Sequence, residues 1–209
     1  MIRILIADDH TVVRRGLKQI LLEEFSSAFI EEVANAEDMI KKIMSNPWDV
    51  VVSDLSMPGR SGLDALLQIK HSYPNLPVLI LSIHPEEHYA LRVLKAGASG
   101  YLSKDSAPDE LVKAVKKVLL GKKYISPAVA ENLAATLSSD MDKAPHEQLS
   151  DREFDVMKLL ASGKSVSEIA DMLSLSVTTI STYRARVMGK MNLKTNPDLT
   201  KYAIEYKLI

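Results

Sequence analysis

Val50-Val51-Val52-Ser53-Asp54-Leu55-Ser56-Met57-Pro58-Gly59 is the stretch on which the fold turns. Three consecutive valines make a short β-branched, wholly apolar run, the signature of a strand buried on both faces of a parallel sheet. Asp54 closes the run and Pro58-Gly59 turns the chain. Open α/β sheets bind their ligands at the carboxyl ends of central strands, which is where this carboxylate stands. An isolated aspartate there serves equally well as a turn or helix cap. The other strand ends decide between the two.

Working outward, further strand candidates are Arg3–Ala7, Ile30–Ala34, Val78–Leu81 and Gly100–Leu102. Amphipathic segments separate them, at Val12–Glu24, Ala36–Ser45, Leu63–Tyr73 and Pro108–Leu120. Strands alternating with helices predict a parallel sheet covered on both faces. The first strand ends in Asp8-Asp9, the third in Asp54 and the fourth in Ser82, and Lys104 follows the fifth. With strand order 2-1-3-4-5, the first and third strands meet at the topological switch point. Asp8, Asp9 and Asp54 then converge on one pocket, with Ser82 and Lys104 on its rim.

Three crowded carboxylates repel one another and call for a cation. An all-oxygen donor set suits a hard ion that keeps its waters, so Mg2+ is expected. A carboxylate can also attack phosphorus to form an acyl phosphate. A cation and a lysine would neutralise charge on the transferred oxygens. His10, His84 and His88 do not make a convincing zinc site, because Pro85 interrupts the last pair and no third ligand has suitable spacing.

This constellation resembles the receiver domain of two-component response regulators over the first 120 or so residues. The resemblance implies a flavodoxin-like, five-stranded parallel sheet with Asp54 as phosphoacceptor. It also implies Mg2+ held by Asp9, Asp54 and the Ser56 carbonyl, with Asp8 acting largely through water. Ser82 and Lys104 take the roles of switch hydroxyl and active-site lysine, and Tyr101 that of the aromatic switch. Many receivers carry proline after the lysine; here it is Asp105.

The chain has 209 residues, 46% hydrophobic and 25% charged, with net charge −1 and no cysteine. These values suit a soluble protein with one large or two modest cores and exclude disulfide and thiolate chemistry. No apolar run approaches the roughly 18 residues of a membrane span, and the early first strand leaves no room for a signal peptide. A cytoplasmic protein is expected. Ser126-Pro127 opens a short helical stretch with Val129, Leu133 and Leu137 on one side. A polar linker follows, giving a receiver over 1–121, a linker over 122–147 and a second domain over 148–209.

Two capping boxes, Ser150/Glu153 and Ser165/Glu168, start helices in that second domain. Ser174-Leu175-Ser176 then joins the latter to a helix over Val177–Asn192, which is helix-turn-helix spacing. Ile180, Val187 and Met191 form the buried stripe of that helix. The opposite face carries Thr178, Thr182, Ala185 and Arg186, flanked by Thr179 and Ser181. From Ser176 to Lys194 there are four cations and no acid (Arg184, Arg186, Lys190, Lys194), a stripe suited to DNA. A last amphipathic segment, Pro197–Leu208, places Leu199, Tyr202, Ala203 and Tyr206 on one side, part core and part dimer surface.

Leu149-Ser150-Asp151-Arg152-Glu153 and the run Val177–Arg186 resemble the LuxR-type output domain. A receiver followed by such an all-α helix-turn-helix domain is the arrangement of NarL/FixJ response regulators. The resemblance implies that Ser181, Thr182 and Ala185 face bases, and Thr179, Arg186 and Lys190 the DNA backbone. It further implies a sensor histidine kinase, promoter DNA, a homodimer on phosphorylation, and RNA polymerase as partners. No enzymatic turnover is expected beyond the protein's own aspartyl phosphorylation and dephosphorylation. Two other readings compete, a DNA binder indifferent to phosphorylation and a Mg2+-dependent phosphohydrolase. The second lacks an acid two residues past Asp54, where Ser56 stands.

Overall fold

A computed structural model describes residues 1–58, 60–131 and 144–209, with the side chains of Glu87, His88 and Asp151 outside that description. Leu133, Leu137 and the middle of the expected linker, residues 132–143, therefore lie outside the described residues. The chain divides into two compact units, Met1–Ser139 and Asp140–Ile209.

In the first unit β1 (Arg3–Ala7), β2 (Phe29–Val33), β3 (Val50–Asp54), β4 (Val78–Ser82) and β5 (Gly100–Ser103) form one sheet, ordered β2-β1-β3-β4-β5. Every pairing is parallel. The connecting helices are α1 (Thr11–Glu24), α2 (Ala36–Ser45), α3 (Gly62–Ser72), α4 (Glu86–Lys95) and α5 (Ala107–Leu119). All five residues of β3 and of β4 are buried, as a sheet covered on both faces requires. One face of the sheet gives Ile4, Ile6, Val50, Val52, Leu79, Leu81 and Leu102 to a core with Leu17 and Leu21 of α1 and Leu111 and Val115 of α5.

β2 begins one residue earlier than its periodicity predicts. Phe29 N–H donates to the Ile2 carbonyl, and the Phe29 ring stacks at 6.0 Å on Trp48. As an edge strand it carries Glu31 and Glu32, which pair with Lys42 and Lys18. α4 has no clear limits in the sequence because its opening residues are polar; Tyr89, Ala90 and Val93 anchor it. Gly62 begins α3 because the chain doubles back onto the end of β3. A Cβ there would lie 2.2 Å from the Asp54 carbonyl oxygen, and Gly62 N–H donates to the Leu55 carbonyl.

The second unit opens with a 3-10 turn, Pro145–Gln148, followed by α6 (Asp151–Ala161), α7 (Val166–Leu173), α8 (Val177–Met191) and α9 (Asn196–Glu205). Both expected capping boxes form, and Thr195 with Asp198 makes a third at α9. Ser174 closes α7 in the left-handed conformation at φ 53°, so three residues suffice to swing the chain into α8. Phe154, Met157, Ile169, Ile180, Val187 and Met191 are buried between the helices.

Leu199 and Ala203 are corrected by this packing. Both are fully buried inside the unit, so neither is available to a dimer partner. Helical spacing cannot tell an inward apolar stripe from an interface. Tyr206 is 48% exposed and stacks at 4.4 Å on Tyr202, whose hydroxyl lies 2.8 Å from His146 Nδ1.

Candidate functional site

The carboxyl ends of β1 and β3 are neighbours, with Ala7 opposite Ser53 in register. The next residue on each strand is therefore an aspartate, and Asp8 and Asp54 enter one crevice by topology alone. Both are buried, at 1% and 3% exposure. Lys104, carried in by the turn after β5, places Nζ 2.7 Å from Asp8 Oδ2 and 2.7 Å from Asp54 Oδ2. The second oxygen of Asp54 accepts from Ser56 N–H at 3.1 Å. Asp9 sits at the mouth with 28% side-chain exposure.

Burial pushes the Asp54 carboxyl above its ordinary value, against the pull of Lys104 and the Ser56 N–H. Burial also works against the charge on Lys104, but hydrogen bonds and attraction from Asp54 and Asp8 outweigh it and hold the ammonium above its usual value. The crevice thus combines a desolvated carboxylate with a fixed cation beside it.

The donor set fits a hard divalent cation. Side-chain oxygens of Asp8, Asp9 and Asp54, with the imidazole of His10, offer donors within 4.8 Å of one another. Asp8 Oδ2 already meets Lys104 and Asp9 Oδ1 lies 2.8 Å from His10 Nδ1. Carboxylate oxygens crowded this closely still favour a hard cation.

On the far rim, Ser82 is fully buried and its Oγ accepts from His84 N–H at 3.0 Å. Tyr101 donates its hydroxyl to the His84 carbonyl at 2.7 Å and is only 2% exposed, so the aromatic position is already turned inward. Burial pushes the Tyr101 phenol up to about 12. His84 Nε2 lies 3.1 Å from Ser56 Oγ, and its ring stacks at 4.6 Å on Tyr89. Gly62 and the position of His10 in the crevice do not show in the sequence pattern. A glycine at the first position of a helix was the available sign of the former.

In the second unit, Thr178, Ser181, Thr182, Ala185 and Arg186 all lie exposed along one side of α8, and Thr179 is half-buried beside them. Thr182 Oγ1 donates to the Thr178 carbonyl at 3.0 Å, and Thr179 Oγ1 is 2.8 Å from the capping Ser176 Oγ. Lys190 is exposed near the end of the same helix. Its ammonium lies 2.6 Å from Glu153 Oε2 and donates to the Gln148 carbonyl at 3.4 Å. Glu153 is 3% exposed and belongs to the α6 capping box, so this ion pair ties α8 to α6 while Lys190 stays exposed.

Comparison with known proteins agrees with this geometry. Residues 4–116 match the response regulator receiver domain family, and residues 147–203 match the luxR family of bacterial regulatory proteins. The response regulator UvrY of Escherichia coli K12 is 36% identical over 209 residues, covering 100% of this chain and 96% of UvrY. RcsB from Salmonella enterica serovar Typhimurium, bound to promoter rprA in the presence of phosphomimetic BeF3-, superposes with TM-score 0.63. It is 27% identical, with 97% of this chain and 98% of that one covered. A structure of two RcsB dimers bound to two parallel DNAs is 28% identical with TM-score 0.59, covering 96% of each chain. This chain belongs to the NarL/FixJ family of response regulators, joining a receiver to a LuxR-type helix-turn-helix domain.

Proposed function

We propose that the protein is a transcriptional regulator whose grip on promoter DNA is set by phosphorylation of Asp54. A sensor histidine kinase or small phosphodonor supplies the phosphoryl group. One Asp54 carboxylate oxygen forms a bond to phosphorus as the donor's bond to phosphorus breaks. The observation that carries this reading is the buried Asp8–Lys104–Asp54 arrangement, with both ion contacts at 2.7 Å. Lys104 stays beside the carboxylate as negative charge builds on the transferred oxygens.

Asp8, Asp9, Asp54 and the Ser56 carbonyl would hold Mg2+, which would supply charge neutralisation at the phosphoryl oxygens. Ser82 Oγ is the hydroxyl suited to the new phosphoryl group, since it accepts from His84 N–H and keeps its own proton to donate. Tyr101, already inward, is held there by the phosphorylated form, which biases an existing equilibrium of α4 and β5. Beyond forming and losing its own acyl phosphate, the chain turns over no substrate.

In the output unit Ser181, Thr182 and Ala185 would meet base edges, with Thr178, Thr179 and Arg186 toward the backbone. A homodimer reads paired half-sites, with Tyr202 and Tyr206 the aromatic side chains of α9 open to a partner. Such a regulator works in the cytoplasm and acts through RNA polymerase at its promoters. The test is incorporation of phosphoryl from a small phosphodonor. Wild type takes up one acid-stable, base-labile group when Mg2+ is present, and chelation or Asp54→Asn removes it. Equal labelling of Asp54→Asn overturns the assignment.

A further inference from the structure

We infer that the protein reads its operator through thymine methyl groups, with Thr182 and Ala185 selecting T·A pairs in the major groove. This inference deepens, and rests on, the reading of α8 as the helix that meets DNA.

The chemistry of the helix narrows by elimination. Asparagine and glutamine read adenine, aspartate and glutamate read cytosine, and arginine and lysine read guanine. Between Val177 and Met191 there is no amide and no carboxylate side chain. Three cations remain, and two of them are engaged elsewhere. Arg184 is half-buried, and its Nε donates to Asn196 Oδ1 at 3.2 Å. Lys190 Nζ lies 2.6 Å from Glu153 Oε2. Arg186 flanks the exposed face and is the cation assigned to the DNA backbone.

The hydroxyls are partly spent as well. Thr182 Oγ1 donates to the Thr178 carbonyl at 3.0 Å, and Thr179 Oγ1 is 2.8 Å from Ser176 Oγ. With its proton turned to its own backbone, the exposed Thr182 side chain offers the groove its γ-methyl. Ala185, three residues on and also exposed, offers a second methyl. At the start of α8, Val177 leaves an isopropyl group 50% exposed. Methyl groups on a face otherwise short of donors match one feature of the bases, the C5-methyl of thymine. Ser181 stands among them, with a hydroxyl that suits donor or acceptor alike.

The test selects duplexes from a random-sequence pool with the full chain, treated with phosphodonor and Mg2+. T·A pairs are expected in each half-site. Each selected thymine is then exchanged for deoxyuridine, which lacks only the methyl. At a contacted position the exchange should lower affinity by about four-fold, as losing one buried methyl-sized group does. Thr182→Ser keeps the hydroxyl and discards the methyl, while Thr182→Val does the reverse. At the thymine it meets, Thr182→Ser should bring the thymine:uracil affinity ratio close to one. Thr182→Val should keep that ratio, and Ala185→Gly should erase it at a neighbouring thymine. Each ratio compares two duplexes on one protein, so a change in folding stability cancels.

A half-site built from G·C pairs, or one that tolerates uracil at every thymine, overturns the inference and leaves promoter binding intact. So does a ratio that survives Thr182→Ser and vanishes in Thr182→Val, the mark of readout by the hydroxyl. If wild type enriches no sequence at all, the promoter-binding reading itself fails, and this inference with it.

Discussion

The receiver crevice and the exposed face of α8 each depend on a few polar side chains, but they hold them by opposite means. Asp8, Asp54 and Lys104 are 1%, 4% and 12% exposed at their side chains and are tied to one another. Low dielectric makes each contact strong and each omission costly. Thr178, Ser181, Thr182, Ala185 and Arg186 face solvent, and Thr182 bonds back to its own helix. The crevice is specified by the fold that surrounds it, whereas the helix face is completed only by the DNA it meets. Chemistry is therefore readable at the first and docking at the second, while the order of the bases is not.

The sharpest way to break this contrast is Lys104→Met, which strands two buried carboxylates. Loss on the order of 3 kcal/mol of receiver stability is expected, as for a buried ion pair deprived of one partner. Mg2+ should return part of it in thermal melts. An unchanged melting temperature without Mg2+ would mean that the crevice is no more demanding than a surface.

Leu199→Ala should cost about 2–5 kcal/mol in the output unit, as removal of buried leucine methyls does. Tyr206→Ala should leave that unit folded and weaken only self-association of the phosphorylated protein, measured by sedimentation. If the two variants behave alike, the division of α9 into a core side and a free side is wrong.

A smaller effect concerns acid. Burial pushes the Glu153 carboxyl up, but Lys190 and the Ser150 N–H outweigh it and hold it below the ordinary 4.5. A carboxyl lowered in the folded state stabilises fully above its unfolded value, and that contribution drains away as pH falls through the folded value. Denaturation of the output unit should therefore steepen below pH 4.5, and Glu153→Gln should flatten that acid limb. The same pair separates two cations on α8. Arg186→Ala should reduce the salt slope of DNA binding by about 0.9, as one phosphate contact is worth. Lys190→Met should weaken binding through a loosened helix and leave the slope in place.

The sheet order and the converging aspartates were legible because burial restricts what a strand end can carry. Asp8 and Asp54 had to meet once β1 and β3 were neighbours. Other features answer to partners distant in sequence. Lys190 read as a free cation because Glu153, its partner, lies 37 residues away. Leu199 and Ala203 read as a shared surface because a helical stripe does not say which neighbour covers it. β2 slipped by one residue where Phe29 found Trp48, a contact no local pattern announces. α4 escaped delimitation because its first residues are polar, and Gly62 because its need comes from the backbone of residues 54 and 55.

The central claim is that the crevice governs the helix face, and promoter affinity tests it directly. Titrate operator DNA with wild type and with Asp54→Asn, each with and without phosphodonor and Mg2+. Phosphodonor should tighten wild-type binding by about five- to 150-fold, the range of a typical coupling, and leave Asp54→Asn unmoved. Equal affinity in all four conditions would contradict the account.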